Sequence, residues 1–178
     1  MKAITPARIR IEKAAEDDLP AISKLAAVIW RACYPGLISG EQIEYMLGRM
    51  YALAVLRDEV CRQGIRFDRL ILDGELVGFA SYGPAAQPGV IKLHKLYVDP
   101  DWQGRGLGSL LLQHCEREAA KLGADKLELS VNKRNSKAIS TYQRNGFVIA
   151  ESVVTDIGHG FIMDDFIMTR GLACRRAS

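Results

Sequence analysis

The chain has 178 residues, of which 48% are hydrophobic and 25% are charged, and this composition excludes both a disordered tail and a membrane protein. One domain of this length buries about 70% of the surface of its unfolded chain, which is enough for a core without disulfide or metal crosslinks. The formal net charge of +3 comes from 24 Lys and Arg residues against 21 Asp and Glu residues, and so small an excess predicts no nucleic-acid or membrane-surface partner.

The cysteines and histidines have no spacing typical of a metal site, so we expect no bound metal. They are Cys33, Cys61, Cys115, Cys174, His94, His114 and His159. Residues 1–10 lack the apolar run of a secretory signal, and no segment approaches the ~18 apolar residues of a membrane span. We therefore expect a cytoplasmic protein whose cysteines stay reduced.

Residues 9–63 are predicted to form one strand followed by two helical regions. The strand covers residues 9–14, and an aspartate after it can cap the first helix, which stops at the turn of residues 34–36. A capping box starts the second region, which runs towards Gln63 and contains a glycine at which it could divide. In chain order these signals are the cap Asp17 or Asp18, the capping box of Ser39 with Gln42, and the glycine Gly48.

From Phe67 the pattern changes to that of strands. Residues 70–72 and 76–82 flank Asp73-Gly74, which predicts a β-hairpin with a tight turn. Residues 90–98 follow as a strand with apolar residues on both faces. Such a strand is expected inside a sheet that is covered on both sides.

The remaining elements alternate between helices and strands. They are a helix over residues 107–122, a strand over 127–131, a helix over 136–144, strands over 147–154 and 161–168 around a turn at 156–160, and a frayed tail over 171–178. This order predicts a single-domain α/β fold over residues 1–170, in which a mixed sheet has helices on both faces.

The segment Gln103-Gly104-Arg105-Gly106-Leu107-Gly108-Ser109 lies between the interior strand and a helix. Its glycines let the backbone approach a phosphate, and the start of the helix favours an anion, so the segment predicts a polyphosphate ligand. A P-loop would need a Gly-Lys-Ser/Thr ending, and a dinucleotide loop would need a glycine where Ser109 stands. The alternative is a glycine-rich turn that binds nothing.

Two motifs resemble those of the GNAT N-acetyltransferase superfamily. Gln103-x-x-Gly106-x-Gly108, after the strand that ends at Leu96-Tyr97-Val98, is similar to the family's coenzyme A loop. Leu129-x-Val131-x-x-x-Asn135-x-x-Ala138-x-x-x-Tyr142-x-x-x-Gly146-Phe147 is similar to its second characteristic stretch. Together they span residues 90–147, and the resemblance implies a mixed, mostly antiparallel sheet of about six to seven strands.

The resemblance implies that acetyl-CoA, as co-substrate, binds where the strand ending at Val98 splays from the strand ending at Val131. The residues implied for its binding are Leu96, Tyr97, Val98, Gln103, Gly104, Arg105, Gly106, Leu107, Gly108, Ser109 and Asn135. Backbone groups would hold the pantetheine arm and the pyrophosphate, and the Asn135 amide would hold the arm as well. Arg105, Lys133 and Arg134 are candidates for the other phosphates or are solvated surface charges.

Tyr142 stands at the family's general-acid position, from which a phenol can protonate the departing thiolate. The alternative is a core tyrosine. Many members carry an acidic residue about six positions before the equivalent of Val98, but Lys92 stands there. No general base is predicted, and the candidates are Glu75, Tyr82, His94 and His159.

The family places its acceptor site on the first helices and the last hairpin. Trp30 and Tyr34, four residues apart, would share a helix face, and His159 is a further candidate for binding the substrate. Carboxylates near the hairpin, together with an aromatic wall, suit a cationic amine. They are Asp156, Asp164 and Asp165, and the alternative is core aromatics with solvated acids.

The predicted function is therefore direct transfer of an acetyl group from acetyl-CoA to a primary amine of a small molecule or protein. Neither a metal nor a covalent enzyme intermediate is expected. Cys115 is not expected to act as a nucleophile, because it lies in mid-helix among apolar residues. A monomer or homodimer is expected. The alternatives are a non-catalytic acyl-CoA-binding sensor and a nucleotide-binding module.

Overall fold

The computed structural model describes residues 8–172, which form seven strands and five α-helices. The strands are β1 Ile9–Lys13, β2 Arg66–Leu72, β3 Glu75–Pro84, β4 Val90–Val98, β5 Lys126–Asn132, β6 Val148–Gly158 and β7 Phe161–Gly171. The helices are α1 Leu19–Cys33, α2 Gly40–Tyr51, α3 Leu53–Cys61, α4 Leu107–Lys121 and α5 Ser136–Arg144. None of the helices in this part of the chain is long and apolar enough to span a bilayer.

All seven strands join one sheet in the order β1-β2-β3-β4-β5-β7-β6. Only β4 and β5 pair in parallel, and every other neighbouring pair is antiparallel. The prediction of a single α/β domain with a mixed, mostly antiparallel sheet is confirmed, and β4 lies in its interior.

Two hydrophobic cores lie on opposite faces of the sheet. Leu111 and Cys115 of α4 are fully buried in the first core, which α5 also contacts. Ile22 and Ile29 of α1 are buried in the second core, together with apolar residues of α2 and α3. Cys115 is thus a buried thiol, and burial raises its pKa above the ordinary value.

The second helical region divides at Ala52 and not at Gly48. Ser39 caps α2 as predicted, because its Oγ accepts a hydrogen bond from the Gln42 N–H at 3.1 Å. Gly48 remains inside α2, where a Cβ would meet open space. The helix stops one turn later because the Tyr51 carbonyl accepts a hydrogen bond from Ser23 Oγ at 2.8 Å, and Ala52 is extended with ψ 141°.

Both predicted hairpins are present, and their turns are tight. Asp73 and Gly74 have φ of 49° and 93°, as the two central residues of a type I′ turn require. The second turn is shorter than predicted, because β6 continues to Gly158 and only two residues connect it to β7. At the other end β7 reaches Gly171, which pairs with Lys126, and the rest of the predicted tail, residues 173–178, lies outside the described residues.

Candidate active site

A wedge-shaped gap opens between β4 and β5 halfway along the two strands. They pair only over Val90–Leu93 and Lys126–Leu129. Opposite β3, Leu93 pairs with Tyr82 and Lys95 with Ser81, so His94 is the extra residue of a β-bulge. A bulge bends its strand. Beyond this point β4 remains paired with β3 and β5 remains paired with β7, so the two strands separate from each other.

The half of β4 beyond the bulge has an open hydrogen-bonding edge. The Asp99 N–H donates to the Val77 carbonyl at 2.8 Å, so the alternate residues Leu96 and Val98 turn their N–H and C=O groups towards the gap. Gln103 Nε2 already donates to the Val98 carbonyl at 2.9 Å. The remaining groups can pair with the amides of an extended ligand, as an added strand would.

The loop at the start of α4 presents a row of free backbone donors. Within residues 8–172, the N–H groups of residues 104–109 donate to no other protein atom, and the first N–H that turns into the helix is that of Leu110. Gly104 and Gly106 have φ of 77° and 78°, a conformation that only glycine adopts without strain. This row at a helix N-terminus fits a pyrophosphate, so the residues present suit coenzyme A.

Gly108 allows a test of that fit, since it lies in the first turn of α4 and a Cβ there would meet only open space. We expect Gly108→Val to weaken coenzyme A binding at least about tenfold, since the side chain would enter the space that the phosphates need. Isothermal titration calorimetry measures the affinity. Gly48→Val is the matched control, because Gly48 is also helical with open space above it. Equal affinities in the two variants would contradict this position for the phosphates.

The basic side chains near the loop are already engaged within the protein. Arg105 stacks on the Trp102 ring at 4.6 Å, Lys133 forms an ion pair with Asp164, and Arg134 donates to the Leu37 carbonyl at 2.9 Å. Lys137 Nζ donates to Gln103 Oε1 at 2.8 Å. This lysine was not among the predicted site residues, since nothing in its spacing distinguishes it from a surface lysine. The backbone N–H groups are therefore the donors of the loop that remain free for a ligand.

Asn135 and Ser109 both have structural partners. Asn135 caps α5, because its Oδ1 accepts a hydrogen bond from the Ala138 N–H at 3.2 Å. Its Nδ2 donates to no described residue and is available to a ligand. Ser109 Oγ accepts a hydrogen bond from Asn145 Nδ2 at 3.1 Å, which links α4 to the end of α5.

Tyr142 lies on α5 with its ring 5.9 Å from that of Phe147. Its hydroxyl forms no hydrogen bond to any residue between 8 and 172. Burial, and to a smaller extent Cys115, raises the pKa of Tyr142 to about 12, so the phenol keeps its proton at neutral pH. The side chain is partly buried, and its hydroxyl is free to donate to a ligand.

Tyr34 and Tyr97 place two more hydroxyls near Tyr142. Their hydroxyl oxygens are 3.2 Å apart. Burial is the main cause that raises the pKa of both phenols, and Tyr142 adds to it, although the hydrogen bond with Tyr34 acts to lower the pKa of Tyr97. Trp30 stacks behind Tyr34 at 4.2 Å and is only 2% exposed. The prediction of an aromatic wall therefore needs correction, because Trp30 is a core residue and only Tyr34 can face a substrate.

Only one of the four candidate bases lies at the gap. Tyr82 is buried and donates to Asp68 at 2.7 Å, Glu75 follows the β2–β3 turn, and His159 packs on Tyr45 in the β6–β7 turn. His94 forms the bulge, and its buried Nε2 has no partner among the described residues. Burial and the neighbouring Lys95 and Lys92 lower the pKa of His94 to about 4, so it is neutral at pH 7.

The acidic residues of the last hairpin have three different environments. Asp156 accepts a hydrogen bond from the Gly158 N–H at 2.8 Å within the turn, and Asp164 forms the ion pair with Lys133. Asp165 is buried behind the gap. Within residues 8–172, no group of His, Cys, Asp and Glu side chains is arranged to hold a metal ion.

The model of the Acetyltransferase (GNAT) family matches residues 28–147. The chain belongs to the GNAT family. A spermidine N(1)-acetyltransferase from Thermoplasma acidophilum is 31% identical over 160 residues, which cover 88% of this chain and 96% of that protein. A spermine/spermidine N(1)-acetyltransferase from Bacillus subtilis is 35% identical over 85 residues, or 44% of this chain and 56% of that protein.

Solved structures show the same GNAT fold. The PaiA N-acetyltransferase from T. acidophilum in complex with coenzyme A has a TM-score of 0.79 and 29% identity, over 92% of this chain and 99% of that one. The ribosomal-protein-S18-alanine N-acetyltransferase from Escherichia coli, at 23% identity, has a TM-score of 0.71 over 93% of this chain and 94% of that one. As a GNAT protein, this chain is an acetyl-CoA-dependent N-acetyltransferase that transfers an acetyl group to an amine.

Proposed function

We propose that this enzyme acetylates a primary amino group of an aliphatic polyamine, with acetyl-CoA bound in the gap between β4 and β5. The observation that carries the proposal is the open edge of β4 next to the free N–H groups of residues 104–109. The similarity to spermidine N(1)-acetyltransferase over 88% of the chain supports the substrate class. The buried carboxylate of Asp165 near the gap suits a cationic amine.

Acetyl-CoA supplies an activated acetyl group as a thioester. Leu96 and Val98 orient the pantetheine arm through their backbone, and the start of α4 holds the phosphates. An N–H of the open β4 edge can polarise the thioester carbonyl as negative charge develops on its oxygen. Tyr142 donates its phenolic proton to the departing thiolate, and its raised pKa keeps the phenol protonated until that step.

The remaining expectations concern cellular context. We propose that the reaction takes place in the cytoplasm, where thiols stay reduced. Cys33, Cys61 and Cys115 are free thiols, consistent with that compartment. A monomer or homodimer stays a prediction.

Two measurements test the proposal. Coenzyme A should stabilise the protein by about 2.7 kcal/mol at a hundredfold excess over Kd, whereas pantetheine, which lacks the phosphates, should do much less. A thiol-release assay with acetyl-CoA should then show turnover with spermidine in a panel that also holds an amino acid, an aminoglycoside and a peptide N-terminus. Equal stabilisation by both ligands would contradict the cofactor site. Coenzyme A binding without thiol release would favour an acyl-CoA sensor.

A further inference from the structure

Asp165 is a buried carboxylate with an oxygen that lacks a partner. The residue is 5% exposed, and its Oδ1 accepts no hydrogen bond within residues 8–172. A buried polar atom without a partner costs free energy, so such atoms are rare and call for an explanation. Asp68, which is also 5% exposed, shows the ordinary case, because Tyr82 and His114 both lie 2.7 Å from its Oδ2.

Asp165 lies in the part of the sheet where β4 and β5 have separated, so a ligand in the gap could reach its free oxygen. On β7 it pairs with Asn132, the last residue of β5, beyond the point at which β4 separates. Phe161, Met163 and Asp165 are every second residue of β7, so their side chains lie on the same face of the sheet. Phe161 and Met163 contact the core under α1–α3, which Tyr34 also contacts. Asp165 therefore lies on the same face of the sheet as Tyr34. Its carboxylate is close enough to Tyr34 to contribute to the raised pKa of that phenol, as Tyr97 and Tyr142 also do.

The charges around Asp165 leave its negative charge largely uncompensated. Lys133 is close but is paired with Asp164, and Lys92 of β4 forms no ion pair in the described part of the chain. Burial, followed by repulsion from Asp164, raises the pKa of Asp165, while Lys133 and Lys92 lower it. Burial acts in the opposite direction on the pKa of an ammonium group. Burial therefore narrows the difference between the two pKa values, and the attraction between the opposite charges acts against that narrowing.

We propose that Asp165 receives the acceptor amine: Oδ1 accepts a hydrogen bond from the incoming ammonium group and takes its proton. The inference rests on the proposed function and assigns the general base that the sequence analysis could not name. The reaction needs such a group because an alkylamine with a pKa near ~10.4 is almost entirely protonated at pH 7.

The ammonium group gives one proton to Asp165, and the freed lone pair on nitrogen forms the C–N bond to the thioester carbon. The C–S bond then breaks with its electrons on sulfur, and sulfur takes the proton of Tyr142. The nitrogen gives its second proton to the resulting tyrosinate, so Tyr142 is restored, and Asp165 releases its proton to water after the amide product leaves.

The test compares Asp165→Asn with Asp68→Asn, two equally buried aspartates that lose the same charge. For Asp165→Asn we expect kcat/KM with spermidine to fall about 10²- to 10⁴-fold, with coenzyme A affinity and Tm not lowered. Asp68→Asn should lower Tm, because it disturbs the hydrogen bonds of Tyr82 and His114, and should keep its kcat/KM per folded molecule. More than a tenth of wild-type kcat/KM in Asp165→Asn would overturn the inference.

A second acceptor separates proton removal from packing. The nitrogen of 2,2,2-trifluoroethylamine is mostly unprotonated at neutral pH, so Asp165→Asn should lose about tenfold or less with this amine. An equal loss with both amines would contradict the role as base.

The failure of this inference can be told apart from failure of the proposed function. If the wild type acetylates another amine but not spermidine, the polyamine assignment fails, and Asp165→Asn is then measured with that amine. If the wild type acetylates spermidine and Asp165→Asn does so equally well, only the inference about Asp165 fails. A wild type that binds coenzyme A and acetylates no amine overturns both.

Discussion

Tyr142→Phe should lower kcat by about 10²- to 10⁴-fold, the usual contribution of a positioned acid, while acetyl-CoA affinity changes little. The substitution keeps the ring against Phe147 and removes a hydroxyl that has no hydrogen-bond partner within residues 8–172. Tm should therefore not fall. Steady-state kinetics with spermidine, with single-turnover measurements to show that chemistry limits the rate, give the answer.

Tyr45→Phe is the matched control for the loss of a phenol. Tyr45 donates to the Ile157 carbonyl at 2.5 Å, so its loss should destabilise the protein by about 1 kcal/mol and leave kcat per folded molecule unchanged. An acyl donor whose leaving thiol is more acidic should restore part of the activity of Tyr142→Phe, because its thiolate needs less protonation. Normal kcat in folded Tyr142→Phe would remove Tyr142 from the mechanism.

Glu59→Ala should destabilise the protein by about 3–5 kcal/mol, because it leaves a buried cation without its partner. The Lys95 side chain on β4 is 1% exposed, and both carboxylate oxygens of Glu59 lie 2.7 Å from its Nζ. The rings of Tyr51 and Phe67, each 5.4 Å from Nζ, supply only a weaker interaction. At roughly 2–4 °C per kcal/mol for a chain of this size, Tm should fall by about 6–20 °C.

The pH dependence of this loss provides a check. Burial lowers the pKa of Lys95, and Glu59 opposes that shift, so the pKa falls further in Glu59→Ala. The unfolded chain then binds a proton that the folded variant does not, and stability rises with pH towards the unfolded pKa of about 10.4. The deficit against the wild type should therefore shrink between pH 7 and pH 10 in thermal denaturation.

A double variant separates the pair from its packing. Glu59→Leu combined with Lys95→Met removes both charges, and such replacements of a buried ion pair are often neutral or stabilising. It should recover most of the lost Tm. A Tm of Glu59→Ala equal to that of the wild type at pH 7 would show that Lys95 reaches solvent when its partner is removed.

The sequence predicted most of the fold because its local signals agree with the tertiary structure. The Asp73-Gly74 turn, the N-cap at Ser39 and the bounds of β4 and α5 depend on neighbouring residues, and each was found where the motif predicted it. The second half of the predicted capping box is absent, because Gln42 Nε2 donates to the Ile162 carbonyl at 2.8 Å. The break of the second helical region was misplaced because it depends on Ser23, which is far away in the sequence.

The bulge at His94 had a signal that was misinterpreted. Ile91 and Leu93 stand at odd positions, and Leu96 and Val98 stand at even positions. In a regular strand these two pairs would lie on opposite faces, so the pattern predicted apolar residues on both faces. In the structure all four contact the same core, because the extra residue shifts the phase of the strand. A change of phase inside a strand is thus a sign of a bulge.

Other site features could not be predicted from local pattern. Whether Trp30 lies in the core or lines a site depends on the packing of α1 on α2 and the sheet, which helical spacing does not specify. Asp164 and Asp165 are adjacent and point to opposite faces of β7. Only the pairing of β7 in the sheet decides that Asp165, and not Asp164, is the buried carboxylate.

The pairing between β4 and β5, here called the seam, covers only four residues and is the shortest in the sheet, whereas the antiparallel pairings on either side of it are longer. Parallel pairing is also slightly less stable per residue than antiparallel pairing. The seam also divides the chain in order, with β1 to β4 on one side and β5 to β7 on the other. A ligand that pairs with β4 and also reaches the free amide of Asn135, which follows β5, would connect these two halves. The stability of this seam would then rise when the ligand binds and fall each time coenzyme A leaves.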